Sequence, residues 1–164
     1  MNEKFQEFLI IAERLNQQNI VPLLMGSVGL EFLTQKDWDS KDVDIHVNGD
    51  PRGWELPDDE IIYEWCRIIK IMTQLNYQLV DNHEHKFKKN TISVGYGVID
   101  TLPDFADVSL KELICQNVNN VKFYTPTLEA FLKIYKASSQ DSYRADKNNH
   151  KDLKKIDYLI NKLT

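Results

Sequence analysis

Between residues 42 and 47 the chain reads Asp-Val-Asp-Ile-His-Val, a strict alternation of polar and apolar side chains. A period of two marks a β-strand with one face in a core, because successive side chains point to opposite sides of the pleat. Val43, Ile45 and Val47 are then the buried set, and Asp42, Asp44 and His46 share the other face. Asp is a poor strand former, and two carboxylates at i and i+2 repel each other. A divalent cation between them would offset the repulsion. The stretch therefore demands a half-buried strand whose open face forms a site.

What precedes it suits that reading. Ile20-Val-Pro-Leu-Leu-Met25 reads as a short buried strand, Gly26-Ser27 breaks it, and residues 28–35 can form a helix with Ser27 as its N-cap. A strand-to-helix turn containing Gly lets backbone N–H groups and a hydroxyl approach phosphate oxygens closely. Mg2+ takes one or two carboxylates and completes its shell with water and substrate phosphates.

The rest of the chain supplies the layers. Helical spacing of Phe5, Phe8, Leu9, Ala12 and Leu15 predicts a helix over residues 2–18. Pro57-Asp-Asp-Glu60 predicts the start of another, running to about residue 76. Short strands follow at 77–81 and 84–88, then a longer one from Thr91 to Leu102, loosened by Gly95 and Gly97. Ser109-Leu-Lys-Glu112 has the capping-box pattern of a helix start. Val121 to Tyr124 reads as a strand, Thr125-Pro126 as the start of a helix, and Leu153, Ile156, Ile160 and Leu163 as the apolar face of a last one. Loops are expected at 48–57 and 139–149. The sum is a mixed α+β domain.

Composition excludes several classes. No apolar run approaches a membrane span, and the charged start of a secretion signal is missing, so a cytoplasmic protein with no membrane partner is expected. Cys66 and Cys115 lie outside any CxxC pattern and read as buried thiols in a reducing compartment. Residues 1–132 carry 12 Lys/Arg against 21 Asp/Glu, whereas residues 133–164 carry 8 against 4. An acidic chain does not advertise non-specific nucleic-acid binding. Its basic end, with Arg144, Lys147 and Lys151, is either a local attractor for an anionic substrate or a solvated helix face. His83 and His85 have no metal-ligand spacing. Phe87, among Lys86, Lys88 and Lys89, either stacks a base or sits in a solvated hairpin.

Met25-Gly26-Ser27 followed by Asp42-Val43-Asp44-Ile45 resembles the minimal motif of the nucleotidyltransferases of the DNA polymerase beta type. Ser40 matches a further position of that motif, and Trp38 stands where many members have Arg. Pro126, Glu129, Arg144 and Lys151-Asp152-Leu153 resemble the closing helices of the small antibiotic- and toxin-type members. The resemblance implies one nucleotidyltransferase-like domain over 1–164, with a mixed-sheet core at about 18–105 and a helical part at about 106–164.

It also implies an activity: transfer of a nucleoside monophosphate from an NTP to a hydroxyl or phosphate acceptor, whether a small antibiotic, tRNA or a protein. Asp42, Asp44 and a third carboxylate would hold two Mg2+ ions with the bound NTP and perform the catalysis. The third is expected at Asp100, within Val98-Ile99-Asp100-Thr101-Leu102, with Asp104 and Asp107 as rivals. Gly26, Ser27, Ser40 and Lys151 would bind the nucleotide. A chain this short offers little wall around an acceptor, so a homodimer that completes the pocket is expected. The alternative, motivated by Trp38 and by the open choice of third carboxylate, is an antitoxin-like or regulatory binding module that keeps the fold without turnover.

Overall fold

The computed structural model describes residues 2–140 and 142–164 and, of residues 142–151, the backbone alone. The chain is α+β, built on a mixed seven-stranded sheet in the order β3-β4-β5-β2-β1-β7-β6. These strands are β1 Leu23–Met25, β2 Asp42–Val47, β3 Gln78–Asp81, β4 Lys86–Lys89, β5 Ile92–Val98, β6 Ile114–Val118 and β7 Val121–Thr125. β2 runs parallel to β5 and antiparallel to β1, and β1 runs parallel to β7. The helices are α1 Glu3–Gln17, α2 Gly26–Thr34, α3 Trp65–Gln74, α4 Leu102–Ala106, α5 Leu128–Gln140 and α6 Ser142–Leu163. Among the described residues no helix is long and apolar enough to cross a membrane.

The two sheet faces are covered unequally, and this creates the site. On one face Phe5, Phe8 and Ile11 of α1 and Trp65, Ile68 and Met72 of α3 pack on Val43, Ile45, Val94 and Tyr96. On the other, Leu23 and Met25 of β1 meet Leu102 and Ala106 of α4 and Ala130 and Ile134 of α5. Leu30 of α2, Phe131 and Tyr135 of α5, and Ile156 and Leu159 of α6 form an adjoining cluster. β1 is thus buried on both faces, which is why it reads as an unbroken apolar run. β2 and β5 alternate because their second face is left open.

Several elements differ from the sequence expectation. β5 stops at Val98; Ile99–Thr101 form a 3-10 turn and α4 begins at Leu102, with Pro103 in its first turn. Pro lacks an N–H, so it ends a strand yet suits a helix start. The register between β2 and β5 passes through Gly95 and Gly97 without a bulge. The expected 57–76 helix is split, because Ile62 bridges to Gly49 and the Ile61 carbonyl accepts from Asp50 N–H at 2.9 Å. Only Asp58–Glu60, as a 3-10 turn, and α3 remain helical.

Ser109 caps a 3-10 turn, and β6 follows where a helix was expected. Thr125 stays in β7, while Thr127 Oγ1 accepts from Ala130 N–H at the start of α5. α2 begins at Gly26 with Met25 in the N-cap position, so Ser27 lies inside the helix. The loop expected at 139–149 is helical on both sides of residue 141, which lies outside the described residues. Cys66 and Cys115 are exposed rather than buried. Phe87 is fully buried against Trp65 and Tyr96, which removes it as a base platform.

Candidate active site

Asp42 and Asp44 lie side by side on the open face of β2, with their backbone anchored by the buried Val43 and Ile45. The antiparallel register pairs Asp44 with Met25, which carries the Asp44 carboxylate onto the turn that opens α2. Gly26 is obligatory there. Its φ is +64°, and a Cβ would overlap Asp44 Oδ2. A carboxylate at the positive end of a helix is stabilised by the peptide dipoles, which offsets part of the repulsion from Asp42.

The parallel partner strand is as bare as β1 is bulky. Ser93, Gly95 and Gly97 of β5 stand opposite Asp42, Asp44 and His46. A Cβ on Gly95 would lie 3.8 Å from Asp44 Oδ1, so the carboxylate sits between two glycines. Gly97 is needed for a different reason: a Cβ there would come within 2.5 Å of His46 Nε2, so the imidazole lies directly on its backbone. Burial pushes His46 down to about 4, against the raising effect of a hydrogen bond to the Val98 backbone. At neutral pH this ring is uncharged.

Behind the Gly-Ser turn stands a cation that sequence reasoning missed. Lys155, only 5 % exposed, donates from Nζ to Ser27 Oγ at 2.7 Å and lies 5.0 Å above the Tyr135 ring centroid. A buried ammonium beside a helix N-terminus adds positive charge to that corner, next to the Asp44 carboxylate. The expected Lys151 falls outside the described side chains, but Lys155 is one helical turn further along, and that i+4 spacing was the available signal. Ser40 is half-buried in the coil before β2. Trp38 packs edge-on to Tyr158 at 5.1 Å and donates to Thr34 Oγ1, facing α6 rather than the carboxylates.

Asp42, Asp44 and His46 open into a cleft of about 890 Å³. Its floor is the glycine face of β5, and its walls carry Asp81, Glu84 and Lys86 on one side and Asp104 and Phe105 of α4 on the other. Arg52 and Trp54 close the end, and Trp54 is 63 % exposed. Arg52 holds Asp50 well below the usual carboxylate range, at about 2, through hydrogen bonds of 2.9 to 3.0 Å. His83 is raised by its hydrogen bond to Asp58. His85 is buried, with Nε2 2.8 Å from the Asp58 carbonyl oxygen.

The three candidates for a further carboxylate separate cleanly. Asp100 accepts from Gly49 N–H at 2.9 Å and from Asn48 Nδ2 at 3.3 Å, so it pins the segment after β2 instead of lining the cleft. The cause is the early end of β5, which rotates residue 100 out of strand geometry. Asp107 closes α4 in the left-handed region, with φ 57°. Asp104 alone shares the cleft with the pair. Among the described residues no group of three or more His, Cys, Asp or Glu converges as a metal cage.

A Gly-Ser turn, an aspartate pair on the neighbouring strand and a mixed sheet backed by helices make up a nucleotidyltransferase-like fold. The crystal structure of an antigenic nucleotidyltransferase-like protein from Paracoccidioides brasiliensis superposes with a TM-score of 0.58 at 18 % identity, over 93 % of this chain and 72 % of that one, a likeness of fold. The chain belongs to the family of the Bacillus subtilis (strain 168) protein described as uncharacterized protein YnaI, with 38 % identity over 160 residues, 97 % of this chain and 96 % of the relative. No protein-family model matches the chain.

Proposed function

We propose that the chain is a metal-dependent nucleotidyltransferase of the DNA polymerase beta type, moving a nucleoside monophosphate from an NTP to a hydroxyl or phosphate acceptor. The observation that carries this reading is the convergence of Asp44 and Lys155 on the Gly26-Ser27 turn, beside Asp42. The donor set fits Mg2+: two hard carboxylates on rigid backbone, with no thiolate beside them. Asp42 and Asp44 would hold the ion together with substrate phosphate oxygens. When bound, Mg2+ neutralises triphosphate charge and polarises the phosphoryl group under attack.

The chain's own residues do the rest. The N–H groups that open α2, the Ser27 hydroxyl and the Lys155 ammonium bind the leaving phosphates and take up negative charge as pyrophosphate departs. The acceptor oxygen bonds to the α-phosphorus while the bridge to the β-phosphate breaks. We assign the acceptor's proton to Asp104, the carboxylate on the α4 wall, in place of Asp100. The neutral imidazole of His46 adds no positive charge next to the pair.

A second reading is an antitoxin-like or regulatory module that binds nucleotide without turnover. It draws on the bare register of β5, where Ser93, Gly95 and Gly97 offer no third carboxylate. One experiment separates the readings: calorimetry of ATP and GTP with and without Mg2+, beside pyrophosphate release over a panel of small antibiotics, tRNA and lysate protein. Mg2+-dependent binding with release supports the enzyme. Binding with no release on any acceptor selects the module, absence of Mg2+-dependent binding overturns the enzyme, and absence of any nucleotide binding overturns both.

A further inference from the structure

The two edges of the sheet are unlike each other. β3, at one edge, is interrupted by a register shift between Leu79 and Asp81 and ends on a charge, both devices that keep other strands away. β6, at the other, is Ile-Cys-Gln-Asn-Val, with no charge, proline or bulge in its five residues. A neutral, regular edge strand is a template for another strand.

The direction of its free backbone groups can be read from its neighbour. Lys122 N–H donates to Asn16 Oδ1 at 2.8 Å, and the Lys122 carbonyl accepts from Asn16 Nδ2 at 3.0 Å. Tyr124 N–H donates to the Pro22 carbonyl at 2.8 Å. These groups therefore point away from β6, so their cross-strand partners Asn117 and Cys115 form the wide pairs of the antiparallel ladder. In such a pair both residues aim their N–H and C=O outward. Cys115 and Asn117 thus present two donors and two acceptors, evenly spaced about Gln116, to the open edge.

We propose that this edge pairs with the same edge of a second copy of the chain, antiparallel, about a two-fold axis at Gln116. The register is self-complementary. Cys115 exchanges both backbone hydrogen bonds with Asn117 of the other copy, and Asn117 with its Cys115. On the opposite side of the strand, Ile114, which is 39 % exposed, meets Val118 of the other copy, so apolar side chains face each other twice. No like charges meet, because the strand carries none. The pairing joins two sheets into one. β1 and β7 separate β6 from β2, three strand spacings or roughly 14 Å, so each cleft stays open rather than being completed by the partner as the sequence reading expected. One short strand per copy buries little area, and the dimer is accordingly weak.

Sedimentation velocity over roughly 5 to 300 µM tests this, beside cross-linking by a short bismaleimide on a Cys66→Ser background. The two Cys115 side chains would be diagonal neighbours, roughly 7 Å apart. A reversible dimer that cross-links through Cys115 is expected. Asn117→Pro removes an outward N–H without removing a bond to β7, and Cys115→Lys brings two cations together at an exposed position. Each should weaken dimerisation tenfold or more, with the monomer's circular dichroism unchanged for Cys115→Lys. Adding Asn117→Glu to Cys115→Lys sets opposite charges across the strands and should restore the dimer, as no other register does. A wild-type monomer throughout the range, or a dimer indifferent to Cys115→Lys, overturns the proposal.

Discussion

Asp42 and Asp44 have different surroundings, and their neutral variants should differ accordingly. Asp44 lies on the opening turn of α2, where loss of its charge forfeits about 0.3–1 kcal/mol of dipole stabilisation. Relief of its repulsion with Asp42 returns a similar amount. Asp42 has no such helix end beside it. Asp42→Asn should therefore raise the metal-free melting temperature by a degree or two, roughly what half a kcal/mol gives at this size, while Asp44→Asn leaves it nearly unchanged. Both should abolish Mg2+-dependent nucleotide binding in calorimetry. Retained binding in either, or a fall in melting temperature of about ten degrees, would mark the pair as structural. Lys155→Met keeps the apolar stem against Tyr135 and removes the ammonium, so nucleotide affinity should drop at least tenfold while the fold persists.

The elements show which sequence signals were local enough to read. The alternation of β2 was legible because a strand with one open face needs nothing beyond its own residues to produce it. Asp100 was not, because the parity argument required β5 to continue past Val98, and α4 ended it. Lys155 was only half legible: its i+4 spacing from Lys151 was there to read, but burial of an ammonium is decided by Tyr135 and Ser27, which are distant in sequence. The β5 register yields its own prediction. Gly95→Asp would stand opposite Asp44, with ordinary van der Waals room at 3.8 Å for its Cβ. A third carboxylate should raise Mg2+ affinity about tenfold, roughly 1.4 kcal/mol, and lower the metal-free melting temperature by a few degrees. Unchanged Mg2+ affinity would show that the two strands do not share one cation site.

At the scale of the whole molecule, α1 is tied to the β4 end of the sheet by one charged cluster. Glu7 of α1 accepts from Tyr77 Oη at 2.7 Å and pairs with Lys89 of β4 at 2.6 Å, and the Lys89 ammonium lies 4.8 Å over the Tyr77 ring. Burial alone would raise Glu7, but the hydrogen bonds from Lys89 and then Tyr77 outweigh it and hold the group below its ordinary range. A carboxyl whose folded value is depressed binds protons more readily in the unfolded chain. The cluster's contribution is therefore complete above the ordinary Glu value of about 4.3 and disappears as pH falls through the lower folded value. The pair is largely screened from solvent, so about 1 kcal/mol is at stake. Glu7→Gln should lower stability by that amount in urea unfolding at pH 7 and by less at pH 2.5. Equal losses at both pH values would mean that Glu7 acts through packing rather than through its charge.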